Sequence, residues 1–390
     1  MDAVLKIPCT YMRGGTSKGL VVREEDLPDS KSERDQILLR IFGSPDKRQT
    51  DGIGGGTSLT SKLCIVGNPT HNDAHINYTF GQVSIDKPEI DYKPTCGNMS
   101  TCVGLYAAEE GYVKLVDPIT TVKIYNTNTK KMIEVDIPVE NGKVKYDGDF
   151  SIDGVPGTAS KMVVNFVNSG GAITGNLLPT GNVKDVVTIN DGREFVVSVI
   201  DCANLVVFVD AEQFGLSGAE VGDEFHQNDI ATTIEAIRVE VGFKLGLFPD
   251  KSKVSPTSHA IPKIALVAKP QSYTNKTGEH IKASEIDLVG RYISMGILHE
   301  AFAVSGGCAL AAASQIPGSI VNQILNGVIK DSINIGHPSG IINVESTVVG
   351  EEPNYLVERA AIGRTARRIM DGYAYVHNLK HTTAKMETHT

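Results

Sequence analysis

This sequence predicts an α/β (α+β) fold in two topologically similar halves, and three observations carry the expectation. Segments that alternate apolar and polar residues at the period of a strand are interspersed with stretches patterned at the period of a helix. Each half contains one small-residue loop that opens an apolar helix, Cys96-Gly97-Asn98 in the first and Ser305-Gly306-Gly307-Cys308 in the second. At 390 residues the chain exceeds one ordinary core, and about 150 residues per domain makes two domains the starting expectation.

The 41% apolar and 21% charged residues are the composition of a globular protein with a sizeable core. A net charge of −9 with no basic stripe, and no Trp, argues against a nucleic-acid surface. The six cysteines, Cys9, Cys64, Cys96, Cys102, Cys202 and Cys308, form no C-x-x-C pair and follow no signal peptide, so reduced thiols in the cytoplasm are expected. No apolar run approaches the ~18 residues that a bilayer span requires.

The chain begins with a strand-like alternation from Val4 to Tyr11 that runs into Arg13-Gly14-Gly15-Thr16-Ser17-Lys18-Gly19. Such a turn either presents backbone N–H groups to an anion or simply joins two strands; it lacks the spacing of a Walker loop. Ser32 to Phe42 reads as a short amphipathic helix. A second loop, from Asp51 to Lys62, is rich in Gly, Ser and Thr and leads into the apolar Leu63-Cys64-Ile65-Val66. Lys62, where loop becomes strand, is either a solvated edge residue or an amine partly stripped of water and so able to act as a base. His71, Asp73 and His75 lie at a hairpin end, and surface residues are preferred to a metal triad, so no metal is expected.

Cys96 precedes Met99, Cys102, Val103, Tyr106 and Ala107 at helical spacing, which puts its thiol at a helix N-terminus, where backbone N–H groups favour negative charge. The alternative is an ordinary cap with a buried cysteine. A hairpin from Thr121 to Val139, turning at Asn126-Thr127-Asn128, is followed by strands at Phe150–Ile152 and Met162–Phe166. Turn chemistry at Pro179-Thr180-Gly181-Asn182 suggests a boundary, giving halves of 1–183, with 368–390 returning to it, and 184–367. The second half predicts strands at Glu194–Val199 and Leu205–Val209, helices near Ile230–Val241 and Ser284–Leu298, and the loop and helix from Ser305. Strands at Ile341–Val348, Tyr355–Ile362 and Arg364–Val376 end the pattern, and the polar tail from Asn378 is expected to fray.

Taken together, five ordered motifs resemble the PrpF-like isomerases: Arg13 to Lys18, Gly55-Gly56-Thr57-Ser58 with Ser61-Lys62, Cys96-Gly97-Asn98, Gly336-His337-Pro338-Ser339-Gly340, and Thr365-Ala366-Arg367-Arg368. The resemblance covers nearly the whole chain. It implies the diaminopimelate epimerase fold with a site between the halves, no cofactor, and a 1,3-proton shift that moves a double bond in a small unsaturated di- or tricarboxylate. Methylitaconate stands first among the implied substrates, methylaconitate second and oxalomesaconate further off. Carried over residue by residue, it makes Lys62 and Cys96 the acid/base pair. Thr16, Ser17, Ser58, Gly97, Asn98, His299, Ser305, Gly306 and Gly307 become substrate-binding residues. The second thiol of a racemase would fall near Ala303, so a two-thiol mechanism is not expected. With both groups in one half, a same-face shift is. A homo-oligomer, dimer or tetramer, is expected as well, with no membrane partner. A Ser/Lys hydrolase built on Ser58 and Lys62, or a non-catalytic polycarboxylate-binding protein, are the alternatives.

Overall fold

The computed structural model describes residues 4–92, 95–222, 230–254, 261–294 and 296–377, and the tail expected to fray lies outside them. Two compact units make up the chain, Met1–Val164 with Arg364–Thr390, and Asn165–Gly363.

The first unit runs β1 (Leu5–Gly14), β2 (Ser17–Arg23), α1 (Lys31–Phe42), β3 (Lys62–Gly67), β4 (Ile76–Val83), β5 (Ile90–Asp91), α2 (Gly97–Glu109), β6 (Ile119–Asn126), β7 (Lys131–Glu140) and β8 (Lys143–Val144). The chain leaves it within β9 (Met162–Phe166). The second unit holds β10 (Asp185–Thr188), β11 (Glu194–Cys202), β12 (Asn204–Asp210), α3 (Ile230–Lys244), β13 (Lys263–Ala268), β14 (Tyr273–Thr274), β15 (His280–Ile281), β16 (Leu288–Ser294), β17 (Ile297–Leu298), α4 (Val304–Ser314), α5 (Ile320–Ile324), β18 (Ser332–His337) and β19 (Gly340–Glu351). The return falls within β20 (Asn354–Arg364), and β21 (Ala366–Val376) completes the first unit.

Strand pairing gives the two units one plan. In the first, β1 is antiparallel to β2, β2 parallel to β3, β3 antiparallel to β4, β4 parallel to β6 and β6 antiparallel to β7. The second repeats this order with β11, β12, β13, β16, β18 and β19. Parallel neighbours need a long crossover, and each crossover carries a helix: α1 and α2 in the first unit, α3 and α4 in the second. Ile37, Leu38, Ile41 and Phe42 of α1 pack on Leu20, Val22, Leu63 and Ile65. The opposite faces of these strands meet α2, whose Met99, Cys102, Val103 and Leu105 are fully buried.

Most expected elements are present, with three differences. Ser284–Leu298 holds β16 and β17 instead of a helix. The run Leu288-Val289-Gly290-Arg291-Tyr292-Ile293 is buried on both faces, so it lacks the alternation that marks a half-exposed strand. Phe150–Ile152 makes only a single bridge, Phe150 to Ala159. The units divide at 164/165 and 363/364, against the 183/184 and 367/368 expected. Residues 169–177 are stitched to the end of β11: Ala203 N–H donates to Ser169 O, Gly171 N–H to Asp201 O, and Asp201 N–H to Leu177 O. At the return, Gly15 N–H donates to Thr365 O, which draws that segment into the first unit. Around the hairpin end, the His71 ring stacks on Tyr125, and His75 Nδ1 accepts the Lys123 N–H.

Candidate active site

The first group of candidate residues gathers where the N-terminus of α2 meets the tips of β1 and β2. By strand alternation Ser17, Gly19, Lys62, Cys64, Tyr78, Phe80 and Gln82 share the sheet face turned toward α2. The turn between β1 and β2 is Gly15-Thr16, with Gly15 at φ +49°, where a Cβ would lie 2.1 Å from Asn98 Oδ1. At Gly14 a Cβ would lie 2.1 Å from the Asn98 carbonyl oxygen and 2.6 Å from Cys102 Sγ. Glycine is therefore required for the helix to sit this close. The close approach lets Asn98 Nδ2 donate to Thr16 Oγ1 (3.0 Å) and to the fully buried Ser17 Oγ (3.2 Å). Arg364 Nε donates to Asn98 Oδ1 (3.1 Å) and so sets which way the amide faces.

Cys96 is the N-cap of α2, in extended backbone at φ −137°, ψ 105°, and its side chain makes no capping bond. The half-buried thiol is thus left beside the N–H groups of the first helical turn, Gly97 and Asn98 among them. Its carbonyl accepts from Ser100 N–H and, at 3.5 Å, from Tyr78 OH. Lys62, the first residue of β3, is 8% exposed. Its Nζ donates to Gln82 Oε1 (2.9 Å) and lies 5.2 Å from the centre of the Phe80 ring. Gln82 Nε2 donates in turn to Ser58 O and Ser61 O, both at 3.1 Å. Ser58, itself exposed, joins the group through its main chain.

The electrostatics separate the thiols. Burial pushes the Cys64 and Cys102 thiols well up, so both stay neutral hydrophobes. Cys64 is also influenced by Cys96 and, in the opposite direction, by Lys62, which places both candidate acid/base groups within electrostatic reach of one buried thiol. Burial likewise raises the Tyr78 phenol. Arg13 Nη1 donates to Gly15 O, Thr365 O and Thr365 Oγ1, each at 3.0 Å, tying the motif at Thr365 to the first Gly-rich turn. Desolvation pulls this guanidinium down.

A second group forms in the other unit around Tyr292. The N-cap of α4 is Ala303, in extended backbone at φ −64°, ψ 138°, with no polar side chain to cap the helix. Two residues on, Ser305 Oγ accepts from Asn204 Nδ2 (3.2 Å) at the tip of the β11–β12 hairpin. A Cβ at Gly306 would lie 2.4 Å from the Tyr292 ring, and one at Gly307 3.1 Å from Val344. His299 Nδ1 bonds within its own loop, either donating to Ala301 O (2.9 Å) or accepting from Ala301 N–H (3.1 Å) according to its tautomer, and its ring stands edge-on to Tyr292 at 6.0 Å. The motif from Gly336 forms the β18–β19 turn, and its Ser339 Oγ donates to Glu300 O beside His299.

Within the first unit, then, Thr16, Ser17, Cys96, Gly97 and Asn98 come together, and Lys62 lies on the sheet face turned toward α2; His299, Ser305, Gly306 and Gly307 gather in the second. Sequence reasoning missed Gln82, Arg364, Asn204 and Tyr292. Gln82 carried a usable signal, a polar residue in phase with Tyr78 and Phe80 on an otherwise apolar strand face. Arg364 adjoins a motif that was singled out. Asn204 had none, since its partners Tyr292 and Ser305 lie 88 and 101 residues away, and Tyr292 sits in an apolar run that does not mark it out.

Matching loop-to-helix turns in two matching α/β units define the class as the diaminopimelate epimerase type. A hydroxyproline epimerase from Agrobacterium vitis has this fold, with a TM-score of 0.54 at 11% identity over 95% of this chain and 93% of its own. The chain belongs to the PrpF protein family, which it matches over residues 4–377. It is 45% identical to 3-methylitaconate isomerase of Eubacterium barkeri over 97% of this chain and all of that one. It is 36% identical to 2-methyl-aconitate isomerase of Shewanella oneidensis, covering 95% and 97% of the two chains. A crystal structure of a methylitaconate-delta-isomerase superposes with a TM-score of 0.84 at 45% identity, covering 96% of each chain.

Proposed function

We propose that the protein is a cofactor-independent isomerase that moves a carbon–carbon double bond by acid/base 1,3-proton transfer, with methylitaconate converted to dimethylmaleate. The observation that carries this reading is the asymmetry of the two N-caps. A thiol stands at the cap Cys96 in the unit that also holds Lys62, and the matching cap in the second unit is Ala303. One thiol suits a proton shift between two carbons better than a racemisation that needs two opposed thiols.

In methylitaconate the departing proton is allylic and α to a carboxylate. Its removal builds a dienolate whose charge spreads onto the oxygens of the adjacent carboxylate and, through the double bond, onto the methylene carbon, and reprotonation at that carbon completes the shift. Lys62 and Cys96 form the acid/base pair, either a neutral amine that takes the proton while the thiol returns one, or an ammonium beside a thiolate base. Ser17, Thr16, Asn98 and the Gly97 amide are the carboxylate-binding groups of the first unit, aided by the Ser58 loop, and His299 and the Ser305–Gly307 turn are those of the second. Donors aimed at developing charge are worth about 10²–10³ in rate each.

The 36% identity to a 2-methyl-aconitate isomerase makes methylaconitate the second substrate to try. One carboxylate or methyl changes pocket shape and is worth about 1–3 kcal/mol. A Ser/Lys hydrolase is disfavoured because the Lys62 amine bonds Gln82 and the Ser58 side chain is exposed. Six cysteines present as thiols suit a cytoplasmic enzyme, and no helix among the described residues is long and apolar enough to cross a membrane. Exposed Met370, Tyr373 and Tyr375 on β21 support a homo-oligomer, which light scattering would test.

The decisive experiment incubates the enzyme with methylitaconate, itaconate or methylaconitate in D₂O and follows the proton spectrum. Isomer formation with deuterium entering the new methyl group is expected; neither isomer nor exchange would sink the reading. A chirally labelled substrate would show whether the proton leaves and returns on one face, as expected.

A further inference from the structure

We propose that Gln82 is the positioning residue for the Lys62 amine, an inference that rests on the acid/base role given to Lys62 above. An amine on four methylenes ordinarily samples many rotamers. Here Nζ is held 2.9 Å from Gln82 Oε1, above the Phe80 ring. The Gln82 amide cannot turn, because its Nε2 hydrogens are both used, on Ser58 O and Ser61 O at 3.1 Å, leaving Oε1 to face the amine.

Those two carbonyls belong to the second Gly-rich loop, which is itself anchored. The buried Gln49 accepts from Gly56 N–H (2.9 Å) and Ser61 Oγ (2.6 Å) through Oε1, and its Nε2 donates to Ser44 Oγ (3.0 Å). The loop therefore acts on the amine from behind, as a fixed platform that transmits its position through one amide.

The choice of an amide follows from this arrangement. A carboxylate at position 82 would set an oxygen against two carbonyl oxygens and hold the amine permanently as an ammonium. A hydrocarbon would take this partner from the amine and from Ser58 O, and would leave Ser61 O with the Val83 N–H alone (3.1 Å). Only a neutral group that accepts on one side and donates twice on the other satisfies all three, and it lets the amine both release and take up a proton, as an acid/base group must.

The test measures kcat, KM and the urea midpoint for the near-isosteric Gln82→Met and for Gln82→Asn, whose amide is too short to span the gap. Both are expected to lower kcat about tenfold to a hundredfold with KM changed less than about threefold. Lost stability with unchanged kcat in the folded fraction would show a purely structural role and overturn the inference. Lys62→Ala is run alongside. If it is inactive while both Gln82 variants keep the original kcat, the positioning role alone fails. If Lys62→Ala turns over normally, the acid/base reading fails and the inference with it.

Discussion

The N-termini of α2 and α4 occupy equivalent places in two units of identical strand order, yet they are furnished differently. At the first, the cap is Cys96 and the residue two positions on, Asn98, donates from its amide to hydroxyls at the tip of β1–β2. At the second, the cap is Ala303 and the residue two positions on, Ser305, accepts at its hydroxyl from Asn204 at the tip of β11–β12. Donor and acceptor have changed sides, while the helix still lies against the hairpin. The backbone plan is thus maintained independently of the side chains placed at its mouth, and on the proposed reading the proton-transfer pair, Lys62 and Cys96, belongs to the first unit alone.

The largest expected effects test that division of labour. Lys62→Ala and Cys96→Ala should each lower kcat by ~10²–10⁴, measured as isomer formed per unit time by NMR. Moving the thiol to the other cap, as Cys96→Ala with Ala303→Cys, should restore nothing; recovery would mean that the caps are interchangeable. Next comes Asn98→Ala, which releases Thr16 and Ser17 and strips Arg364 Nε of an acceptor, with kcat/KM falling by ~10². Ser305→Ala, which leaves Asn204 Nδ2 the weaker 3.4 Å contact with Tyr292 OH, should cost about 1–3 kcal/mol in a urea titration.

Close packing at the two mouths gives a smaller contrast. Gly14→Ala meets a backbone oxygen at 2.1 Å, and Gly306→Ala meets the Tyr292 ring at 2.4 Å. Both should destabilise by about 1–3 kcal/mol, Gly14→Ala more, because a ring can tilt where a helix carbonyl cannot.

The smallest effect is the pH dependence of stability. Burial raises the Cys64 and Cys102 thiols in the first unit, and pushes Cys202 in the second up to about 12. Unfolding exposes them to their ordinary value of about 8.5, so above that pH the unfolded chain sheds protons that the folded one retains. Their stabilising contribution is fully present below about pH 8.5 and declines as pH rises toward the folded values. Thermal unfolding scans should show Tm falling across that alkaline window; a Tm that stays constant would contradict the assigned burial.

Much of the fold was legible because it is written locally. β1, α1, α3 and the last three strands announce themselves by alternation or helical spacing, and the small-residue runs at Cys96 and Ser305 mark the helix starts. Where local pattern fails, burial is the cause: β16 is covered on both faces, and a continuous apolar run of that length reads equally well as helix. The unit boundary was drawn on the turn chemistry of Pro179 to Asn182, and the division at 164/165 rests instead on bonds that local pattern does not carry, such as those joining Ser169, Gly171 and Leu177 to Asp201 and Ala203.

The same division applies to the candidate site. Residue types and their order along the chain are sequence properties, and they are enough to single out Lys62, Cys96, Asn98 and the glycines that permit close approach. Which groups touch is a matter of strand register and helix placement. Gln82 meets Lys62 because β4 pairs with β3 in one particular register, and Arg364 reaches Asn98 from 266 residues further along the chain. Such contacts depend on distances that close only when the whole unit is packed, so tertiary structure alone could decide them.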